Sequence, residues 1–181
     1  MNKAIFWDLQ GTLGGDAVAS IEYFQPYSFA KEALKLAKAN GYRNIVITNQ
    51  SRIGKGTLLP EAYEKASSRI MQFFNADEML LEEILCCPHQ SIDQCDCKKP
   101  KTGLIQYSVQ KYNLDIKSCF VIGDMGKNEI VMAHNAGCKG ILVLTGGGEE
   151  SLGIYRDTWR GYDADLIADN ALEAVKNLLC R

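Results

Sequence analysis

The stretch Ile5-Phe6-Trp7-Asp8-Leu9-Gln10-Gly11-Thr12-Leu13 constrains the fold of this chain more than any other. A short apolar run ends in a carboxylate, and Gly11-Thr12 then turns the chain. This reads as a buried strand that delivers Asp8 to the carboxyl edge of a sheet, where α/β proteins hold their ligands. Three later segments follow, precede or end an expected strand or helix: Ile47-Thr48-Asn49-Gln50-Ser51, Lys98-Lys99-Pro100 and Ile122-Gly123-Asp124. Together they supply what an aspartate nucleophile at a phosphate needs.

Between these segments the hydrophobic period alternates. Ala30, Ala33, Leu34 and Ala37 fall on one helical face within 29–39, and Gly41 is a natural stop. Pro60 suits the first turn of a helix running to about Phe74. Further helices are expected near 103–112, over 129–136 closed by Gly137, and over 171–179. Strands are expected over 43–48, 82–87, 119–122, 140–144 and, as a short edge strand, 165–167. Residues 14–25, the polar segment 49–56 and the Gly146-Gly147-Gly148 run read as loops. Strands alternating with helices predict an α/β fold: a parallel sheet covered on both faces. No repeat or linker interrupts it, so one domain over residues 1–181 is expected, with loops in place of a cap domain.

The balance of charge narrows the partners. A net charge of -2 gives no broad basic field for nucleic acid or acidic membranes, so any anion site must be local. No signal-like apolar stretch opens the chain, and no run approaches the ~18 apolar residues of a membrane span. A cytoplasmic monomer acting on a small phosphorylated metabolite is the expectation.

Asp8 can attack phosphorus as a carboxylate and form an aspartyl-phosphate. Such a transfer needs positioning and charge neutralisation more than covalent assistance. Thr48 can donate its hydroxyl to a phosphate oxygen, joined by the Asn49 backbone N–H, while Lys99 supplies positive charge. Asp124 can share a hard divalent cation such as Mg²⁺ with Asp8. Arg52 and Lys55 follow Thr48 and Lys98 precedes Lys99, where they could meet a second anionic group of a substrate or simply remain solvated.

A second constellation lies within 86–97, where four of the seven cysteines fall. Cys87-Pro88-His89 and Cys95-Asp96-Cys97 offer three thiolates and one imidazole, a common closed tetrahedral Zn²⁺ shell. Such a zinc would be structural and would steady the loop leading into Lys98-Lys99-Pro100. Cys86 points the other way along its strand and reads as core. His134, on a helix, reads as packing or surface.

In this motif order the sequence resembles the haloacid dehalogenase (HAD) phosphatase superfamily. Asp8-Leu9-Gln10-Gly11-Thr12, Thr48, Lys99 and Gly123-Asp124 match its four motifs. More narrowly, Thr48-Asn49-Gln50-Ser51 and residues 87–100 resemble the D-glycero-D-manno-heptose-1,7-bisphosphate phosphatases, with the histidinol-phosphate phosphatases as near relatives. The resemblance implies a capless HAD-like Rossmannoid three-layer sandwich with a zinc-bound loop over 86–98. It also implies Mg²⁺ held by Asp8, the Gln10 backbone carbonyl and Asp124, and hydrolysis of a sugar phosphate by way of an aspartyl-phosphate. Two positions depart from the pattern. Gln10 stands where a second Asp normally serves as general acid and base, a role typically worth 10²–10⁴-fold, so weakened turnover or a binding role without turnover is expected. Asn128 stands where the fourth motif usually places a second acid, with Glu129 beside it. A nucleic-acid end phosphatase shares the motif order but not the charge, and is the weakest alternative.

Overall fold

The computed structural model describes residues 2–180; Met1 and Arg181, the ends of the expected 1–181 domain, lie outside it. In chain order the elements are β1 (Lys3–Trp7), α1 (Ala30–Ala39), β2 (Tyr42–Asn49), α2 (Ser51–Gly54), α3 (Pro60–Phe74) and β3 (Glu83–Cys87). There follow α4 (Gly103–Tyr112), β4 (Phe120–Gly123), α5 (Glu129–Ala136), β5 (Lys139–Val143), α6 (Gly148–Leu152), β6 (Leu166–Ala168) and α7 (Ala171–Leu179).

The six strands form one parallel sheet in the order β3-β2-β1-β4-β5-β6. The order reverses between β1 and β4, the switch point at which α/β sheets open a crevice at their carboxyl ends. Strand alternation assigns the two faces. Ile5 and Trp7 of β1 pack with α1, α3 and α7 side chains such as Leu34, Ile70 and Val175. Ala4 and Phe6 pack on the other face with Ile105 of α4 and Met132 and Ala133 of α5. The result is helices on both faces of the sheet, the three-layer arrangement expected of the α/β pattern.

Local chemistry fixes the ends of the elements. Pro60 opens α3, where its missing N–H costs nothing. Gly137 closes α5 in the left-handed region at φ 79°. The Asn170 side chain accepts from the N–H groups of Leu172 and Glu173 and caps α7. Asn44, a polar residue in the middle of β2, is buried and fully used. Its Oδ1 accepts from the Trp7 indole at 3.0 Å, and its Nδ2 donates to the carbonyls of Leu34 and Leu80 at 2.9 Å each.

Two segments expected to be loops contain short helices. Residues 51–54 form α2 because the Gly54 N–H donates to the Pro88 carbonyl and the Gln90 side chain donates back to Gly54. Gly148 opens α6 so close to the Val143 carbonyl that a side chain there would overlap it. No helix among the described residues is long and apolar enough to cross a membrane. The segments facing the switch point are loops and single turns, with no cap domain among the described residues.

Candidate active site

The first motif places its nucleophile candidate by simple strand geometry. The Asp8 N–H continues the β1–β4 pairing by donating to the Ile122 carbonyl at 2.9 Å, so its side chain emerges at the switch point. Asp124 leaves β4 on the adjacent strand. It is held by the Gly147 N–H at 2.8 Å and rests on Gly11 and Gly146. A side chain on either glycine would overlap its carboxylate, and Gly11 also has a φ of 94° that L side chains rarely adopt.

Thr48 and Asn49 end the neighbouring β2. The Asn49 side chain grips the backbone of Lys99 from both sides: Oδ1 accepts from its N–H at 3.0 Å and Nδ2 donates to its carbonyl at 3.3 Å. This clamp brings Lys99, preceded by Lys98 and joined to Pro100 by a cis bond, under the sheet edge. The Lys99 ammonium meets Asp8 Oδ1 at 2.5 Å, Glu129 Oε1 at 2.7 Å and the Ile47 carbonyl at 2.9 Å. Its three N–H donors are thereby used, so its charge reaches a ligand through Asp8 unless a donor is exchanged.

These side chains line one cavity of about 130 Å³, together with Gln10, Ala17, Met125, Asn128 and Glu129. Burial would lower the pKa of Lys99, but the carboxylates of Asp8 and Glu129 outweigh it and hold the ammonium charged. Burial, with Asp8 and Glu129 adding to it, raises Asp124 to about 8. Burial, with Asp8 adding and Lys99 opposing, raises Glu129 to about 7. With all groups ionised, Asp8, Asp124, Glu129 and Lys99 carry a local charge of -2, the charge a divalent cation would neutralise.

Of the two neighbouring residues at the fourth motif, it is the acid Glu129 that meets Lys99. Glu129 is 1% exposed, bonds Lys99 with one oxygen and accepts the Met125 N–H with the other at 3.0 Å. Asn128 lines the cavity without touching Lys99. The sequence signal was an acid five residues after Asp124, opening α5, one residue later than the usual spacing.

The three other expected anion contacts do not line the cavity. Arg52, on α2, donates through Nη2 to the Val18 carbonyl at 2.5 Å. Lys98 bonds the Ser51 hydroxyl and, at 3.2 Å, the His89 carbonyl, tying the cysteine loop to α2. Lys55 is exposed at the end of α2.

Residues Cys87, His89, Cys95 and Cys97 converge so that their ligand atoms all lie within 4.8 Å of one another, a group able to hold a metal ion. Cys87 Sγ stands 3.7 Å from both His89 Nδ1 and Cys95 Sγ, Cys97 Sγ 3.2 Å from His89 Nδ1, and Cys95 Sγ 3.5 Å from Cys97 Sγ. Burial raises the Cys87 thiol. Cys86 turns away and pairs with the Tyr63 hydroxyl, while His134 Nε2 donates to the Asp163 carbonyl at 2.8 Å and the ring stacks edge-on against Tyr162.

Residues 96–174 match the HAD-hydrolase-like family model. The D-glycero-beta-D-manno-heptose-1,7-bisphosphate 7-phosphatase of Pasteurella multocida is 34% identical over 156 residues, 81% of this chain and 84% of that protein. Its counterpart from Haemophilus ducreyi is 32% identical over 154 residues, 80% of this chain and 84% of the other. The histidine biosynthesis bifunctional protein HisB of Blochmanniella floridana is 32% identical over 145 residues, but this chain spans only 40% of its length. Among solved structures, D,D-heptose 1,7-bisphosphate phosphatase from B. bronchiseptica, complexed with magnesium and phosphate, superposes with a TM-score of 0.87 at 21% identity over 99% of both chains. With identity above 30% across four-fifths of this chain and of its relatives, the protein belongs to the HAD-like phosphatase family that includes the heptose-1,7-bisphosphate phosphatases.

Proposed function

We propose that the protein is a Mg²⁺-dependent phosphoric monoester hydrolase whose substrate is a sugar phosphate, D-glycero-D-manno-heptose 1,7-bisphosphate in the first instance. The observation that carries this is the environment of Asp8. One carboxylate oxygen is neutralised by Lys99, while the other has only the Thr12 hydroxyl, at 3.4 Å, and opens on the cavity. In this reading Asp8 attacks phosphorus, the P–O bond to the sugar breaks, and the leaving oxygen takes a proton from water. Water then attacks the aspartyl-phosphate, returning Asp8 and releasing phosphate. Gln50 donates to Thr48 Oγ1 at 3.0 Å, so the Thr48 proton is free to be given to a phosphoryl oxygen beside the Asn49 N–H. Gln10, a carboxamide in the acid/base position, neither gives nor takes a proton, and slow turnover is expected.

Asp8, Asp124 and the Gln10 backbone carbonyl would hold the Mg²⁺, a hard-oxygen set suited to it, and the local charge of -2 fits a divalent ion. When bound, the cation neutralises charge on the transferring phosphoryl group. The thiol and imidazole cluster is proposed to hold structural Zn²⁺. Tetrahedral Zn²⁺ with the usual bond lengths has S–S edges of about 3.8 Å and S–N edges of about 3.6 Å. Four of the six observed separations, at 3.2–3.7 Å, are close to these edges, and all six lie within 4.8 Å. Arg52 and Lys55 are proposed for the substrate's distal anionic group, with Lys98 as a support for that loop. The same reading expects a single-domain, cytoplasmic monomer.

The test is phosphate release, with Mg²⁺, from heptose 1,7-bisphosphate, histidinol phosphate and a generic phosphomonoester, comparing the protein with Asp8→Asn. Release that favours the heptose bisphosphate and vanishes in Asp8→Asn supports the proposal. Release that Asp8→Asn leaves intact overturns it.

A further inference from the structure

Gln10 is the residue at which the first motif departs from its family, and its side chain has three partners. Nε2 donates to the carbonyl oxygens of Asp16 at 2.7 Å and Ala19 at 3.1 Å. Oε1 accepts from Gln50 Nε2 at 2.9 Å, and Gln50 donates its other N–H to Thr48. The partners fix which end is which. Two carbonyls require the donor end of Gln10, and the Gln50 amide group meets the acceptor end. A carboxylate at position 10 could accept from Gln50 but could donate to neither carbonyl.

The segment held in this way sits at the mouth of the cavity. Ala17 lines the cavity beside Asp8, Thr48 and Asp124. The segment is also folded on itself, with the Val18 N–H donating to the Asp16 carboxylate at 2.8 Å and the Ala19 N–H to the Asp16 carbonyl at 3.1 Å. Arg52 ties its outer side through the Val18 carbonyl.

We propose that Gln10 is a positioning residue whose carboxamide, oriented by Gln50, latches residues 16–19 across the mouth of the cavity and delays the exit of bound phosphate. Latching and acid/base chemistry are then alternatives at position 10, because the first needs a double N–H donor and the second a carboxyl group. The inference rests on the phosphatase reading only for what the latch encloses.

Hydrogen exchange of the full-length chain tests it, with Gln10→Glu as the decisive variant because it keeps size and reach but loses both donations. Exchange in peptides covering 15–20 is expected to accelerate tenfold or more in Gln10→Glu and Gln10→Ala, with peptides covering 86–98 unchanged. The dissociation rate of inorganic phosphate, measured with Mg²⁺, is expected to rise with it. Gln10→Glu exchanging like the parent would overturn the latch, since a side chain that merely fills space is matched by its isostere. Should the Gln10 variants misfold, Gln50→Met removes the orienting donor and its bond to Thr48 while leaving Gln10 in place; a severalfold acceleration over 15–20 supports the latch and none overturns it. The two readings fail separately. Absence of phosphate release with the exchange contrast intact removes the phosphatase and leaves the latch, whereas release without the contrast does the reverse.

Discussion

Replacing Lys99 with Met removes the ammonium that faces Asp8, Asp124 and Glu129, and the structure sets the size of the effect. Lys99 is 4% exposed, Glu129 and Asp124 are 1% exposed, and Asp8 is 9% exposed. Three hydrogen bonds are lost, two of them ionic, and three carboxylates are left to repel one another in a poorly solvated site. Breaking a buried ion pair from one side costs about 3–5 kcal/mol. For a chain of this length that corresponds to a fall in Tm of roughly 6–20 °C. Protonation of the acids can relieve the strain, so the loss should be larger at pH 8 than at pH 5.5. A calorimetric or fluorescence melt of Lys99→Met at both pH values, without added metal, measures it. The double variant Lys99→Met/Glu129→Gln should be no less stable than Lys99→Met alone, because the second change removes a charge that the first left unpaired. A Tm within 2 °C of the parent at pH 8 would refute the reasoning, as would simple additivity of the two changes.

Three further outcomes follow from the same geometry. Asp124 and Glu129 have pKa values raised to about 8 and about 7, so the folded state binds protons that the unfolded state has lost. Without Mg²⁺, stability should therefore fall as pH rises from 5 to 8, and added Mg²⁺ should raise Tm more at pH 8 than at pH 5.5. Treating the protein with a strong chelator should remove close to one Zn²⁺ per chain and lower Tm, with the fastest new hydrogen exchange over 86–98; metal analysis finding well under one Zn²⁺ in untreated protein would sink this. Asn44→Ala strands the Trp7 indole and the carbonyls of Leu34 and Leu80, and should cost about 2–4 kcal/mol in denaturant unfolding with the fold retained.

The fold was legible where local chemistry and periodicity agreed. Pro60, the apolar face of 30–37 and Gly137 each mark a boundary that depends on no distant residue, and α3, α4, α5 and α7 begin and end where expected. The helices α2 and α6 escaped because four or five residues cannot hold a helix by propensity. They exist through contacts outside themselves, α2 through the Pro88 carbonyl and α6 through Ser151, whose hydroxyl accepts the Gly126 N–H and whose carbonyl accepts the Trp159 indole. In the site, Asp8, Thr48 and Asp124 were readable because strand ends of a parallel sheet share one edge, while Lys99, on a loop, reaches that edge through the clamp of Asn49. Glu129 was blurred by a one-residue change in spacing. The three partners of Gln10 were invisible, since nothing in a sequence shows that its amide reaches Asp16, Ala19 and Gln50 at once.

The grip of Asn49 on Lys99 also decides where this chain can change length. Residues 91–94 form the outer tip of the cysteine loop, where Ile92 is 82% exposed and Gln94 already turns through the left-handed region. Residues could be added or lost there with the two ends of the loop still anchored by α2 on one side and Asn49 on the other. Between Cys95 and Lys99 there is no such slack, because a single insertion would carry the ammonium out of reach of Asp8. Length variation among natural relatives should therefore gather at the tip, and a peptide tag grafted at 92–93 should be carried without cost to the site.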